Sequence, residues 1–256
     1  MRILNLDIES APALVYVWDL RTRYVTPEKI VRPRHMLCFA GKWVGEDDIF
    51  FFSEWDDGTE AMLRQIWDLL DQADAVLHYN GKRFDIPHIN TEFAQAGLPP
   101  PSPYAQIDLY KAVRRQFSFM SSSLKSVSQA LGTAHKLEHE GFSLWTKVMD
   151  GDTRAQRKME EYNCGDVFAN EDLYRRILPW IPAHPSYAVI DGGRGSAAHG
   201  GEDGDLRCPQ CGGTSVERSG CAYTALSAYP RYICPDCQTW LRGTHRLAGA
   251  DLRAVS

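Results

Sequence analysis

The stretch RILNLDIES, residues 2–10, decides how the rest of the chain is read. Its apolar residues mark a β-strand, and side chains on a strand alternate between faces. Leu4, Leu6 and Ile8 then share one face, while Ile3, Asn5, Asp7 and Glu9 share the other. Two acids therefore stand side by side on one face. The first strand of an α/β domain is usually central and covered on both faces. Buried, unpaired carboxylates are costly or take up protons. A solvated sheet face would relieve this pair. A divalent cation would also do so by turning repulsion into shared coordination, and hard Mg²⁺ or Mn²⁺ prefers carboxylate oxygens.

The segments that follow alternate in type. MLCFAGKWV and DIFFFS read as a strand hairpin turning at Gly45–Asp47. Residues 59–73 carry Met62, Ile66, Leu69 and Leu70 at helical spacing, and AVLHY (75–79) is a fourth strand. A helix opens at DIP (85–87) and ends near Gly97. A short strand is expected at 105–107, then helices near 108–117, 122–131 and 155–178. Five strands with helices between and after them predict an α/β fold, a mixed sheet flanked by helices.

The length of 256 residues is enough for one mid-sized domain and a small appendage. The net charge of −5 does not advertise a nucleic-acid binder, although patches matter more than totals. No apolar run approaches the ~20 residues of a membrane helix. The acidic N-terminal stretch lacks the apolar core of a signal peptide. A cytoplasmic protein that avoids membranes is expected, with its seven cysteines as free thiols or metal ligands. Residues 191–205, DGGRGSAAHGGEDGD, have the composition of a flexible linker. The expected organisation is a domain over 1–185, a Gly- and acid-rich linker over 186–206, and a second small domain over 207–256.

Two more places hold notable acids. In HYNGKRFDIP (78–87) a strand ends in a polar loop and Asp85 begins a helix. Asp is a favoured N-cap and Pro87 suits a first turn, so capping alone accounts for Asp85. In EYNCGDVFANED (161–172) Tyr162 and Asp166 lie one turn apart on the stripe of Met159 and Leu173, which should face the sheet. Asp172, within reach of Arg175 and Arg176, reads as a solvated surface acid.

Taken together, DIE on a first strand, N-x-x-x-F-D after a later strand (Asn80, Phe84, Asp85) and Y-x-x-x-D on a late helix (Tyr162, Asp166) resemble the DEDD 3′–5′ exonuclease superfamily. The tyrosine points to its DEDDy branch, alongside DnaQ-like and family B polymerase proofreading domains. The resemblance covers residues 1–180 and implies a ribonuclease H-like fold. It also implies two catalytic Mg²⁺ or Mn²⁺ ions held by Asp7, Glu9, Asp85 and Asp166. Asp7 would touch both metals, and Glu9 and Asp166 would hold the one that activates water. Asp85 would hold the second metal through water, and Tyr162 would orient the attacking water. Ser10 would contact the terminal nucleotide, with Asn80 and Phe84 supporting the strand end and the wall that faces nucleic acid. Asp108 resembles a supporting acid, and helix capping explains it equally well. Lys111, Arg114, Arg115 and Lys125 suit either a phosphate path or a solvated helix face.

The tail holds two C-x-x-C knuckles, CPQC (208–211) and CPDC (234–237), separated by 22 residues. Four thiolates so spaced read as a zinc ribbon, with one structural Zn²⁺ on Cys208, Cys211, Cys234 and Cys237. Cys221 is left over as a non-ligand. Five arginines against Glu217 and Asp236, interleaved with Tyr223, Tyr229, Tyr232 and Trp240, suit stacking on single strands; docking to a replication or repair protein suits them nearly as well. The expected function is a metal-dependent 3′–5′ exonuclease on DNA, with single strands or 3′ ends as substrate. An RNA exonuclease, a structure-specific endonuclease on the same fold, and a non-catalytic nucleic-acid adaptor using the ribbon are the rivals.

Overall fold

The computed structural model describes residues 1–133, 141–190 and 206–252. Residues 191–205, most of the expected linker, lie outside the described residues, as do 253–256 of the expected tail domain. The chain divides into two compact units, Arg2–Tyr174 and a second made of Met1 with Arg175–Ser256.

The first unit is built on β1 (Ile3–Ala11). A small hairpin of β2 (Leu14–Val15) and β3 (Ile30–Arg32) follows it, then β4 (His35–Trp43) and β5 (Ile49–Ser53). Next come α1 (Thr59–Asp71), β6 (Ala75–His78), α2 (Asp85–Gln95), β7 (Ala105–Asp108) and α3 (Leu109–Gln116). The helices α4 (Leu124–Leu131), α5 (Phe142–Met149) and α6 (Thr153–Ile177) complete it. The five-stranded sheet has the order β5-β4-β1-β6-β7. β4 runs antiparallel to β1 and to β5, while β6 is parallel to β1 and to β7. The mixed α/β sheet expected from the sequence is therefore present. Neither the β2–β3 hairpin nor α5 was expected. β2 and β3, at two and three residues, are too short to declare a period.

β1 is central and its two faces meet different helices. Leu4, Leu6 and Ile8 pack with Met62 and Ile66 of α1 and with Ile86, Ile89 and Phe93 of α2. On the other face Ala11, Leu37 and Cys38 pack with Leu144 and Val148 of α5 and with Ala155, Met159 and Tyr162 of α6. Leu37 and Cys38 are consecutive yet serve the same core. The cause is a bulge: Glu9 pairs with Cys38 but Ser10 pairs with Met36, so Leu37 is an extra residue in β4. Bulges of this kind bend a strand and re-aim its side chains.

α6 covers the polar face of β1, and polar groups meet there. Asn5 is fully buried and its Nδ2 donates to the Val167 carbonyl at 2.6 Å. Lys42 of β4 and Glu171 of α6 form a buried ion pair, Nζ to Oε2 2.5 Å, and Glu171 Oε1 also accepts the Gly45 N–H at 3.1 Å. Removing one partner of such a pair leaves a buried charge and costs about 3–5 kcal/mol. Lys42→Met should therefore lower the melting temperature of the first unit by roughly 10 °C. Adding Glu171→Gln should recover most of that loss, because the amide oxygen still accepts from Gly45. Thermal denaturation of the single and double variants checks both.

Candidate active site

α6 brings a third acid, Asp166, to Asp7 and Glu9. One carboxylate oxygen each of Asp7, Glu9 and Asp166 lie within 4.8 Å of one another. Asp166 is 2% exposed and Tyr162, one turn earlier, is buried. The side chains of Tyr162 and Asp166 are hydrogen-bonded, so the hydroxyl donates to the carboxylate. Burial first, then the negative Asp166, Glu9 and Asp7, pushes the Tyr162 hydroxyl well above the ordinary phenol range. The Trp145 ring of α5 meets the Tyr162 ring edge-on with centroids 6.1 Å apart. Asn163, unnoticed in the sequence, donates from Nδ2 to Asp7 Oδ2 at 2.8 Å and to the Asp7 carbonyl at 3.3 Å. It fixes the Asp7 carboxylate from the adjacent helix position.

Asp85 reaches the site from another direction. The parallel ladder between β1 and β6 ends at Asn5↔Leu77. Beyond that point the β6 side of β1 has no ladder partner, although Ile8 still pairs with Phe39 of β4, and the Ile8 N–H donates to Asp85 Oδ1 at 3.2 Å. Asp85 is the first residue of α2; Phe84 holds the N-cap position and makes no side-chain cap bond. Capping, which the sequence offered as a sufficient account of Asp85, does not describe its contact with β1. Asp85 is buried and bonds the backbone of the residue between Asp7 and Glu9, yet it is not one of the three acids in the tight cluster.

The loop between β6 and α2 is shaped to deliver Asp85. Asn80 takes the left-handed conformation at φ 65°, and its N–H donates to Asp108 Oδ1 at 3.1 Å. Asp108 also caps α3 by accepting from the Lys111 N–H at 3.3 Å, the capping role expected from the sequence. Gly81 donates its N–H to His78 Nδ1 at 3.0 Å. Burial holds His78 below the usual imidazole range. The neutral ring accepts at Nδ1 and so donates from Nε2 toward Gln106 Oε1, 3.4 Å away. A Cβ on Gly81 would lie 2.6 Å from His78 Cγ and 3.0 Å from Asp85 Oδ2. Gly81→Ala should thus displace both residues at a cost of about 1–3 kcal/mol. Titrating activity against Mg²⁺ or Mn²⁺ should show a raised metal requirement and at least a tenfold lower rate at limiting metal. An unchanged titration would mean that this loop does not position Asp85.

Ser10 is half-buried at the bulge directly after Glu9. Phe84 is exposed, with its ring against His88 at 4.8 Å and the Arg34 guanidinium above it at 5.9 Å. Lys111, Arg114, Arg115 and Lys125 are all exposed, as is Asp172. Lys82 and Arg83, also exposed, flank the site in the loop before Asp85. They were missed in the sequence, although the adjacent cations in NGKRFD are a visible signal.

In the second unit a short helix, α7 (Tyr187–Ile190), precedes β8 (Glu217–Tyr223), β9 (Ser227–Ile233), β10 (Trp240–Arg242) and β11 (Ala248–Gly249). β9 pairs antiparallel with β8, β10 and β11. The sulfur atoms of Cys208, Cys211, Cys234 and Cys237 lie within 4.8 Å of one another. The two knuckles are built alike. Gly212 N–H donates to the Cys208 carbonyl at 2.9 Å and Gln238 N–H to the Cys234 carbonyl at 2.8 Å. Gly212 and Gln238 both have positive φ, 78° and 62°. Each chain turns just after its second cysteine and so aims two sulfurs at one point. Cys221 lies on β8, outside this cluster.

The donor sets suit different ions. Three carboxylates are an all-oxygen set for a hard divalent cation, and four sulfurs are a soft tetrahedral set of the zinc type. Either cluster could hold a metal.

A family model described as the RNase H superfamily matches residues 32–178, the stretch from β3 through α6. Among solved structures the chain is similar to the family B DNA polymerase from the hyperthermophilic archaeon Pyrobaculum calidifontis, with a TM-score of 0.51 and 18% identity. That likeness covers 70% of this chain and 24% of the polymerase chain. No curated protein matches the sequence. Among the described residues, no helix is long and apolar enough to cross a membrane. The sheet order, its mixed strand directions and the family match over more than half of the chain lead to one assignment: this chain belongs to the RNase H superfamily.

Proposed function

We propose that the protein is a metal-dependent 3′–5′ exonuclease of the DEDDy type that hydrolyses DNA from single strands or 3′ ends. The observation that carries this reading is the convergence of Asp7, Glu9 and Asp166 within 4.8 Å, with Tyr162 bonded to Asp166. Asp85 at the adjoining edge of β1 supplies the fourth acid. When bound, two divalent cations supply an activated water and charge relief on the leaving oxygen. The chain's own residues prepare for this. Asp7 and Glu9 are held on one face of a central strand, Asn163 fixes Asp7, and the β6–α2 loop fixes Asp85. Tyr162 stays protonated with its one O–H directed at Asp166, so its oxygen would meet a water as an acceptor, suited to orienting that water rather than taking its proton. Ser10, turned by the bulge beside Glu9, is the residue for the terminal nucleotide, with Asn80 and Phe84 behind the strand end. The likeness to a family B DNA polymerase supports DNA over RNA.

Residues 207–256 are proposed to be a zinc ribbon with one structural Zn²⁺ on Cys208, Cys211, Cys234 and Cys237, tethered by the Gly- and acid-rich segment before them. Arg231 lies 4.9 Å over the Trp240 ring and Arg242 4.5 Å over the Tyr229 ring. Such pairs suit retention of a single strand by stacking and backbone contact. A tethered ribbon would raise the effective concentration of substrate at the nuclease.

The test uses the full chain with 5′- and 3′-labelled single-stranded and duplex DNA and RNA, with Mg²⁺ or Mn²⁺. A ladder of products shortening from the 3′ end of DNA is the expected result. Internal cuts would favour the endonuclease reading, faster loss of RNA the ribonuclease reading, and no metal-dependent cleavage of any substrate would leave only an adaptor.

A further inference from the structure

The segment between β1 and β4 leaves the sheet at the end that carries the carboxylates. β2 and β3 pair through Leu14↔Arg32 and Val15↔Ile30, and the Tyr16 N–H closes on the Lys29 carbonyl at 2.9 Å. The tip has its own order: Arg21 N–H donates to Asp19 Oδ1 at 2.9 Å and the Thr22 hydroxyl to the Asp19 carbonyl at 2.6 Å. On this small frame stand large apolar side chains with no core to enter. Trp18 and Leu20 are each 99% exposed, and Tyr16 and Tyr24 are also largely exposed. A soluble chain rarely shows so much clustered apolar surface unless it binds something.

Position and charge select the occupant. Residues 14–34 hold five cations against Asp19 and Glu28, in a chain whose net charge is −5. Arg21 and Arg23 lie between Trp18 and Tyr24 at the tip. Leu14 follows Glu9 by five residues, so the hairpin root lies within ~17 Å of the carboxylates at the rise of an extended chain. Arg34, just past β3, bonds His88 Nε2 through Nη1 at 2.7 Å and lies over Phe84, the residue just before the helix begun by Asp85. A polyanion with flat, stackable faces entering the acid cluster would meet this surface first.

We infer that the Leu14–Arg32 hairpin is a stacking platform for the single-stranded nucleic acid that enters the candidate active site. Bases rest on Trp18 and Tyr24, and Arg21 and Arg23 take the adjoining phosphates. The inference rests on the nuclease reading for its direction, and its test is chosen so that the two can fail separately.

Binding of the full chain to fluorescent oligo-dT and oligo-rU is measured by anisotropy in EDTA, where hydrolysis plays no part. Trp18→Ala with Tyr24→Ala should weaken binding about tenfold or more, and Trp18→Phe should retain most of it. Arg21→Ser with Arg23→Ser should reduce the slope of log affinity against log salt by roughly 1.4. Photo-crosslinks from thio-substituted bases near the 3′ end should map to residues 16–24. Unchanged affinity together with no crosslink in this segment overturns the inference. So does a change in sedimentation mass of the free protein with oligonucleotide binding intact, which would make the hairpin a contact between copies. Metal-dependent hydrolysis of a p-nitrophenyl ester of thymidine 5′-phosphate, too short to reach the hairpin, reports on the nuclease reading alone. It should be the same in wild type and in Trp18→Ala/Tyr24→Ala. Loss of ester hydrolysis in the variant would show that the hairpin shapes the acid cluster itself and overturn its role as a platform.

Discussion

Asp7→Asn should abolish metal-dependent hydrolysis while leaving the protein at least as stable as before. The activity loss is expected to be about 10³-fold or more. Stabilisation of the developing charge by a bound cation is worth several kcal/mol, and each 1.36 kcal/mol is tenfold in rate. The stability effect runs the other way. Without metal, Asp7, Glu9 and Asp166 crowd three carboxylate oxygens within 4.8 Å. At an effective dielectric constant of ~20 each pair at that spacing repels by roughly 3 kcal/mol. Asp7 and Glu9 are half-exposed, so solvent reduces the recoverable part to about 1 kcal/mol. Asparagine removes one of the charges and its carbonyl can still accept the Asn163 amide that bonds Asp7 Oδ2 at 2.8 Å. Melting in EDTA should therefore rise by roughly 2–4 °C, and the stabilisation expected of the wild type on adding Mg²⁺ or Mn²⁺ should shrink. A variant that loses both activity and stability would show that Asp7 serves the fold rather than a metal.

Removal of metal from the four-cysteine cluster should unfold the second unit and spare the first. The described part of that sheet is small, and its buried apolar residues from 206 onward are few. Chains of this size are usually marginal without a staple. Metal binding in comparable small sites contributes about 10–16 kcal/mol of apparent free energy, which here becomes folding free energy. The purified chain should carry one zinc. Titrating the thiols with a mercurial beside a zinc dye should release it, and amide exchange across β8 and β9 should then collapse to the rate of an open chain. Exchange in β1, β4 and β6 should not change. Cys234→Ser should give the same pattern without chelation, whereas Cys221→Ser should be silent because Cys221 lies outside the cluster. Full protection of β8 and β9 in metal-free protein would sink the zinc reading.

The two clusters differ in how plainly they could be read in the chain. The cysteine cluster is local twice over: each C-x-x-C turn is a short-range structure, and only one pairing of knuckles was needed. The acid cluster is assembled from three distant stretches. Strand alternation placed Asp7 and Glu9 together, and helical spacing placed Tyr162 with Asp166. Both patterns are set by backbone geometry over a few residues. Asp85 was harder, because Asp at the start of a helix has an ordinary explanation in capping. What distinguishes it is a long-range fact: the β1–β6 ladder stops at Asn5, leaving the Ile8 N–H for a carboxylate from another element.

Other features had no local signature at all. Asn163 looks like any polar helix residue until α6 crosses the polar face of β1. Nothing near Lys42 or Glu171 in the chain marks them as a pair, and only the meeting of their strand and helix buries them together. The Leu37 bulge and the exposed β2–β3 hairpin interrupt regular periods, so pattern reading passes over them.

By itself, the sequence determined the alternation of strands and helices, the paired acids of the first strand, the Tyr162–Asp166 helix face and the two cysteine knuckles. Each depends on the repeat of a strand, the repeat of a helix or the reach of a tight turn. Only the tertiary structure decided which oxygens converge, what fixes Asp7 and Asp85, which charges are buried as a pair, and that an aromatic, cationic hairpin stands at the carboxylate end of the sheet. Those outcomes depend on how separate elements cross and where their ladders end, which short-range geometry does not specify.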